Sequence, residues 1–111
     1  MATKNRSIGS ELGTSSSDLY TVPAQYESNI KSIFLTNGTS STRTVTLTWY
    51  QSSTSVTWPV TTDLEMVANG IIQITDSLYL NKGDKFSASA DAIGVNIHFN
   101  VEETFIGTRT Q

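Results

Sequence analysis

Thr44-Val-Thr-Leu-Thr-Trp-Tyr50 alternates without a break: Val45, Leu47 and Trp49 fall on one side of an extended chain, and Thr44, Thr46, Thr48 and Tyr50 on the other. That period of two belongs to a strand with one buried and one wet face. After the turn-forming Gln51-Ser-Ser-Thr-Ser55, the residues Val56, Trp58 and Val60 repeat the alternation, so Thr44 to Val60 is predicted to form a hairpin. Pro59 has no N–H to give a ladder and pushes the second strand toward a sheet edge. Trp49 and Trp58 share the phase of the apolar positions and are read as core. Tyr50 lies in the opposite phase and is the ring left for a surface contact.

Outward from this hairpin the same pattern recurs. Val95, Ile97, Phe99 and Val101 alternate with Asn96, His98 and Asn100, and Phe86, Ala88 and Ala90 follow the tight turn Asn81-Lys-Gly-Asp84. Asp18 to Val22 is a short strand closed by Pro23. Glu27 to Thr36 is another, in which the consecutive Ile33-Phe34-Leu35 implies burial on both faces or a bulge. Asn37 to Arg43, with its Asn-Gly pair, is expected to be a hairpin loop. Asp63 to Asn69 is expected to cross between sheets as a loop, and Gly70 to Thr75 and Leu78 to Leu80 supply short strands. Seven to eight strands at such intervals predict an all-β fold: an antiparallel β-sandwich, jelly-roll or Ig-like, over residues 17–106. Residues 1–16 are polar and read as an extended N-terminal arm, with 107–111 as a C-terminal tail. Lys4, Arg6, Ile8 and Leu12 are the arm's candidates, with Tyr50, for binding a partner.

At 111 residues the chain suffices for one domain. Ser and Thr together fill 32 positions, a composition suited to turns and solvent-facing strand positions rather than helices. The net charge of −3, without clustered Lys or Arg, argues against a nucleic-acid or membrane-surface partner. The chain has no Cys, which excludes a disulfide framework and thiolate metal sites. The polar start is not followed by an apolar stretch of signal length, and no segment reaches the roughly 18 apolar residues of a membrane span.

Reactive chemistry is sparse. His98 is the one imidazole and takes the polar side of its strand, where a solvent or interface role is the default. Asp63 with Glu65, and Glu102 with Glu103, are the nearest carboxylate pairs, and both are read as solvated charge. Asn81, Asp84 and Asp91 have oxygen ligands for a hard cation but not the spacing of a calcium loop, so turn formation accounts for them. No catalytic residue, metal or cofactor is assigned.

Taken in order, Leu19-Tyr-Thr-Val-Pro23, Lys31-Ser-Ile-Phe-Leu-Thr-Asn37, Thr44-Val-Thr-Leu47 and Leu80-Asn-Lys-Gly-Asp-Lys85 resemble small β-sandwich modules of tailed-bacteriophage virion proteins. That resemblance implies a non-enzymatic virion structural protein, first of all a capsid decoration protein that binds and stabilises the phage head shell. The alternative is a neck, tail or fibre component with an attachment or carbohydrate-binding role. The implied partners are the major capsid protein or another virion structural protein. Copies of the chain itself are also implied, a homo-oligomer for which a trimer is one option. The implied location is the virion, assembled in the host cytoplasm.

Overall fold

A computed structural model describes residues 3–106 as nine strands: β1 (Thr3–Glu11), β2 (Ser17–Thr21), β3 (Tyr26–Asn37), β4 (Arg43–Gln51), β5 (Val56–Met66), β6 (Ile71–Ile74), β7 (Leu78–Leu80), β8 (Lys85–Ala90) and β9 (Val95–Phe105). The expected tail at 107–111 lies outside the described residues. One sheet runs β1-β9-β3-β6, with β7 also paired to β3, and the other runs β2-β8-β4-β5. Every pairing is antiparallel. The chain changes sheet at each connection except β4–β5 and β6–β7. With β6 and β7 sharing one place beside β3, four positions face four in the strand order of a jelly roll.

The alternating residues build the core as their periodicity predicts. Val45 and Leu47 from β4, Phe86, Ala88 and Ala90 from β8, and Val95, Ile97, Phe99 and Val101 from β9 are all buried. Phe86 and Phe99 meet edge to face across the two sheets, with centroids 5.2 Å apart. In β3 the ladder with β9 slips between Ile30 and Ser32. The bulge reverses the phase, so Ser28 and Ile30 point inward before it and Ile33, Leu35 and Asn37 after it. Phe34 is thereby turned to the outer face, against His98.

Four expectations need correction. Residues 3–11 are not an arm: they pair residue by residue with β9, from Thr3 opposite Thr104 to Glu11 opposite Asn96, and raise the strand count above eight. A polar edge strand has little apolar alternation to betray it, because one face is wet and part of the other meets a charge. Asn37 and Gly38 do not close a hairpin, since β3 and β4 lie in different sheets. Instead the buried Asn37 Nδ2 donates to the carbonyls of Ser41, Met66 and Val67, and its Oδ1 accepts from Thr39, tying two crossings together. The crossing after β5 starts later than Asp63, because Asp63 (φ 51°), Leu64, Glu65 and Met66 continue the strand. Finally, Trp58 is 47% exposed. It sits directly opposite Trp49, beyond the two slips in the β4–β5 register, on the strand that forms the sheet's edge.

Candidate functional site

Two features stand out once the core is accounted for. The first is a buried carboxylate. Glu103 occupies the inward phase of β9 beyond Val101 and is fully buried, contrary to the reading of Glu102 and Glu103 as a solvated pair. The two do face opposite sides: Glu102 stays at the surface, 3.7 Å from the Lys31 ammonium. The antiparallel register sets Lys4 and Ser28 on either side of Glu103, from β1 and β3. Arg6 Nη1 donates to Glu103 Oε2 at 3.1 Å, and the Lys4 Nζ stands 3.7 Å from Oε1. From the facing sheet, the Tyr20 hydroxyl donates to Oε2 and accepts from Ser28 Oγ at 2.7 Å. Burial, and then the hydrogen bond to Glu103, push the Tyr20 phenol well above its ordinary pKa. Oε1 has no hydrogen-bond donor among the described residues, so the Lys4 charge is its compensation.

This arrangement relocates four of the residues expected to contact a partner. Lys4 and Arg6 face inward with their ammonium and guanidinium groups reaching Glu103, Ile8 packs partly buried against the core, and Leu12 is 1% exposed within it. The Leu12 N–H donates to the Val95 carbonyl, carrying the β1 ladder one residue further. Tyr50, the fifth, is on the outer face of the β2-β8-β4-β5 sheet as its phase predicts. The Lys85 ammonium lies 5.5 Å from its ring centroid.

The second feature is the outer edge formed by β5. Val56, Trp58 and Val60 are 38%, 47% and 36% exposed and form an apolar row on a strand whose other edge has no partner among the described residues. Sequence periodicity finds the row but assigns it to the core, because alternation reports a shared face and not whether anything covers it. Glu103, conversely, escapes sequence reasoning because its type suggests solvent. The signal that could have found it is phase, since it extends the series Val95, Ile97, Phe99, Val101.

The remaining candidates are structural. Asp84 accepts from Trp49 Nε1, from the backbone N–H groups of Ser52 and Asn81, and from Ser52 Oγ, so its oxygens fasten the turn before β8. Burial alone would raise its pKa, but these four bonds outweigh it and hold the carboxyl below its ordinary value. Asp91 accepts from the Thr44 N–H at the other end of the same strand and does not converge with Asp84. Thr44, Thr46, Ser89, Asp63 and Asp91 line an open hollow of about 320 Å³ on the outer face of that sheet. His98 has the Phe34 ring as its neighbour, 6.2 Å away. Among the described residues no group of three or more His, Asp or Glu is placed to hold a metal ion, and no helix is long and apolar enough to cross a membrane.

No family model and no curated protein matches this sequence. Among solved structures, the fold is shared with a protein of the Bacillus endospore appendages, described as a novel family of disulfide-linked pili. That match covers 96% of this chain and 88% of the other, with a TM-score of 0.59 and 11% identity. It is also shared with a chain of infectious bursal disease virus, Gx strain, over 99% of this chain and 35% of that one, with a TM-score of 0.59 and 11% identity. The Gt strain of the same virus gives a TM-score of 0.54 and 9% identity, over 98% and 33%. This chain thus spans about a third of the length of the viral chains. At such identities the likeness is one of fold: a two-layer antiparallel sandwich.

Proposed function

We infer that this chain is a non-enzymatic structural subunit of a virion, a decoration protein that binds the major capsid protein on a tailed-phage head and associates with copies of itself. The observation that carries the reading is the bare β5 edge with Val56, Trp58 and Val60 in solvent. An unpaired strand edge flanked by apolar side chains is a template for pairing, and stable proteins cover such edges. A capsid protein or a second copy would cover this one, with the aromatic Trp58 as the anchor such interfaces favour. The use of the same fold in a pilus and in a viral particle supports an assembly role. Tyr50, on the outer sheet face, joins the proposed contact surface.

The test is occupancy of purified phage head shells lacking the protein. Wild-type chain is expected to bind at regular positions, and Trp58→Ser with Val60→Ser to abolish binding while leaving the fold intact by circular dichroism. Unaltered binding by that variant, or density at a neck, tail or fibre instead of the shell, would overturn the decoration reading.

A further inference from the structure

The geometry points to an exchange of β1 between copies of this chain, the Glu103 site of one copy receiving the N-terminal strand of another. This rests on the reading of the chain as a self-associating subunit and names the device that links the copies. Three observations carry it.

The strand is separable. Among the described residues β1 is an edge strand paired to β9 alone, and it joins β2 through Gly13-Thr14-Ser15-Ser16, four exposed residues that form no strand. They are small or polar, and once the bond from the Ala90 N–H to the Gly13 carbonyl opens, their rotation lets the segment from Thr3 to Leu12 swing away as a unit.

The vacancy is costly. Without β1, Glu103 loses the Arg6 and Lys4 cations and keeps the Tyr20 hydroxyl among the described residues, and β9, still paired with β3, is left with one bare edge along its length. A carboxylate stripped of its counter-ions and a long bare strand edge both favour replacement. The open chain therefore favours recapturing a strand at this edge.

The replacement is specified. The socket asks for a strand with two cations in alternate positions, then an apolar residue, then a leucine that reaches the core. Lys4, Arg6, Ile8 and Leu12 supply that series, and another copy carries it in identical register. In an exchanged pair every intramolecular bond of β1 is remade between copies, so the exchange is nearly isoenergetic per strand and is driven by local concentration. For a chain without cysteine, it links subunits topologically where disulfides cannot.

Ser7 and Asn100 provide the test, because they are directly paired on the exposed side of the β1–β9 ladder, with Ser7 Oγ donating to Asn100 Oδ1 at 3.0 Å. Ser7→Cys and Asn100→Cys are placed in separate full-length chains, which are mixed under self-associating conditions and oxidised. Exchange predicts a disulfide between unlike chains, exceeding that between like chains by roughly a thousandfold, the ratio of millimolar effective to micromolar bulk concentration. Equal yields would overturn it. In a second arm both substitutions are made in one chain and oxidised within it, which locks β1 at home. Self-association should be lost, and association at the wild-type level would overturn the exchange. If both arms fail while wild-type chain still binds shells, the exchange falls and the decoration reading stands. If unlike chains cross-link but wild-type chain does not bind shells, the exchange stands and the decoration reading falls.

Discussion

Removing the two cations that face Glu103 should cost more than removing Glu103's own charge, although the same ion pairs are lost either way. In Lys4→Met with Arg6→Met, the carboxylate stays fully buried and retains the Tyr20 hydroxyl, its partner at Oε2. Stranding a buried charge in this way costs about 3–5 kcal/mol in general, and the surviving Tyr20 bond puts the expected loss near the lower end, about 3 kcal/mol. In Glu103→Gln the amide oxygen still accepts from Tyr20, and the released Lys4 and Arg6, with side chains 58% and 48% exposed, hydrate freely. The loss there is about 1 kcal/mol, the ordinary net value of one hydrogen bond. Adding Glu103→Leu to the double variant removes the stranded charge and should restore most of the stability.

Urea unfolding followed by circular dichroism separates these cases. With a slope of about 1.5 kcal/mol per molar, the double variant's midpoint falls by about 2 M and that of Glu103→Gln by less than about 1 M. The triple variant returns toward wild type. If Glu103→Gln is at least as damaging as the double variant, or if adding Glu103→Leu deepens the loss, the account of Glu103 as a desolvated charge held by β1 is wrong.

Leu12→Ala should cost about 3 kcal/mol by the same measurement, as expected for a buried leucine and not for a residue in a solvated arm. Gly94→Ala should destabilise by about 1–3 kcal/mol, because Gly94 has φ 109° and an added Cβ would lie 2.2 Å from Thr39 Cγ2; wild-type melting behaviour would refute this. Asp84 resists protonation in the folded chain more than in the unfolded one, so its stabilisation is present above its ordinary pKa of 3.8 and is lost as the pH falls below it. Asp84→Asn should lower stability at neutral pH and flatten the acid slope of unfolding, and an unchanged slope would count against the bonds from Trp49 and Ser52. Tyr20 has the opposite sense: its raised pKa means stability is held below about pH 10 and declines above it, a decline that Tyr20→Phe should reduce in an alkaline titration.

Strand periodicity is the most legible part of this molecule, because Val45, Leu47, Phe86, Phe99 and their neighbours are buried by a rule that acts within one strand. The consecutive Ile33-Phe34-Leu35 allows either a bulge or a doubly buried stretch. The structure resolves it as a bulge, with Phe34 turned outward. What local pattern cannot carry is pairing. Whether Trp58 is covered depends on which strands stand opposite β5, and whether Glu103 is wet depends on β1 arriving beside it. Local pattern misplaces both for that reason. The arm fails on the same ground, since its inward residues Lys4 and Arg6 have meaning only against a carboxylate 97 or more positions away.

That dependence also explains why so polar a strand takes one register. A strand with alternating apolar residues is fixed by its core face, but β1 offers only Ile8 before Leu12. A two-residue slip in one sense would set Arg6 against Phe99 and Lys4 against Val101, placing cations over the apolar interior with no counter-ion. A slip in the other sense would draw Leu12 along β9 to Ile97 and leave Gly13 to Ser16 to span about 7 Å more. The buried Glu103 therefore acts less as a source of stability than as a register mark, attracting Lys4 and Arg6 at one position and penalising them at the next. A mark of this kind reads any strand presented to it by sequence alone, and it cannot tell whether that strand belongs to its own chain or to a neighbour's.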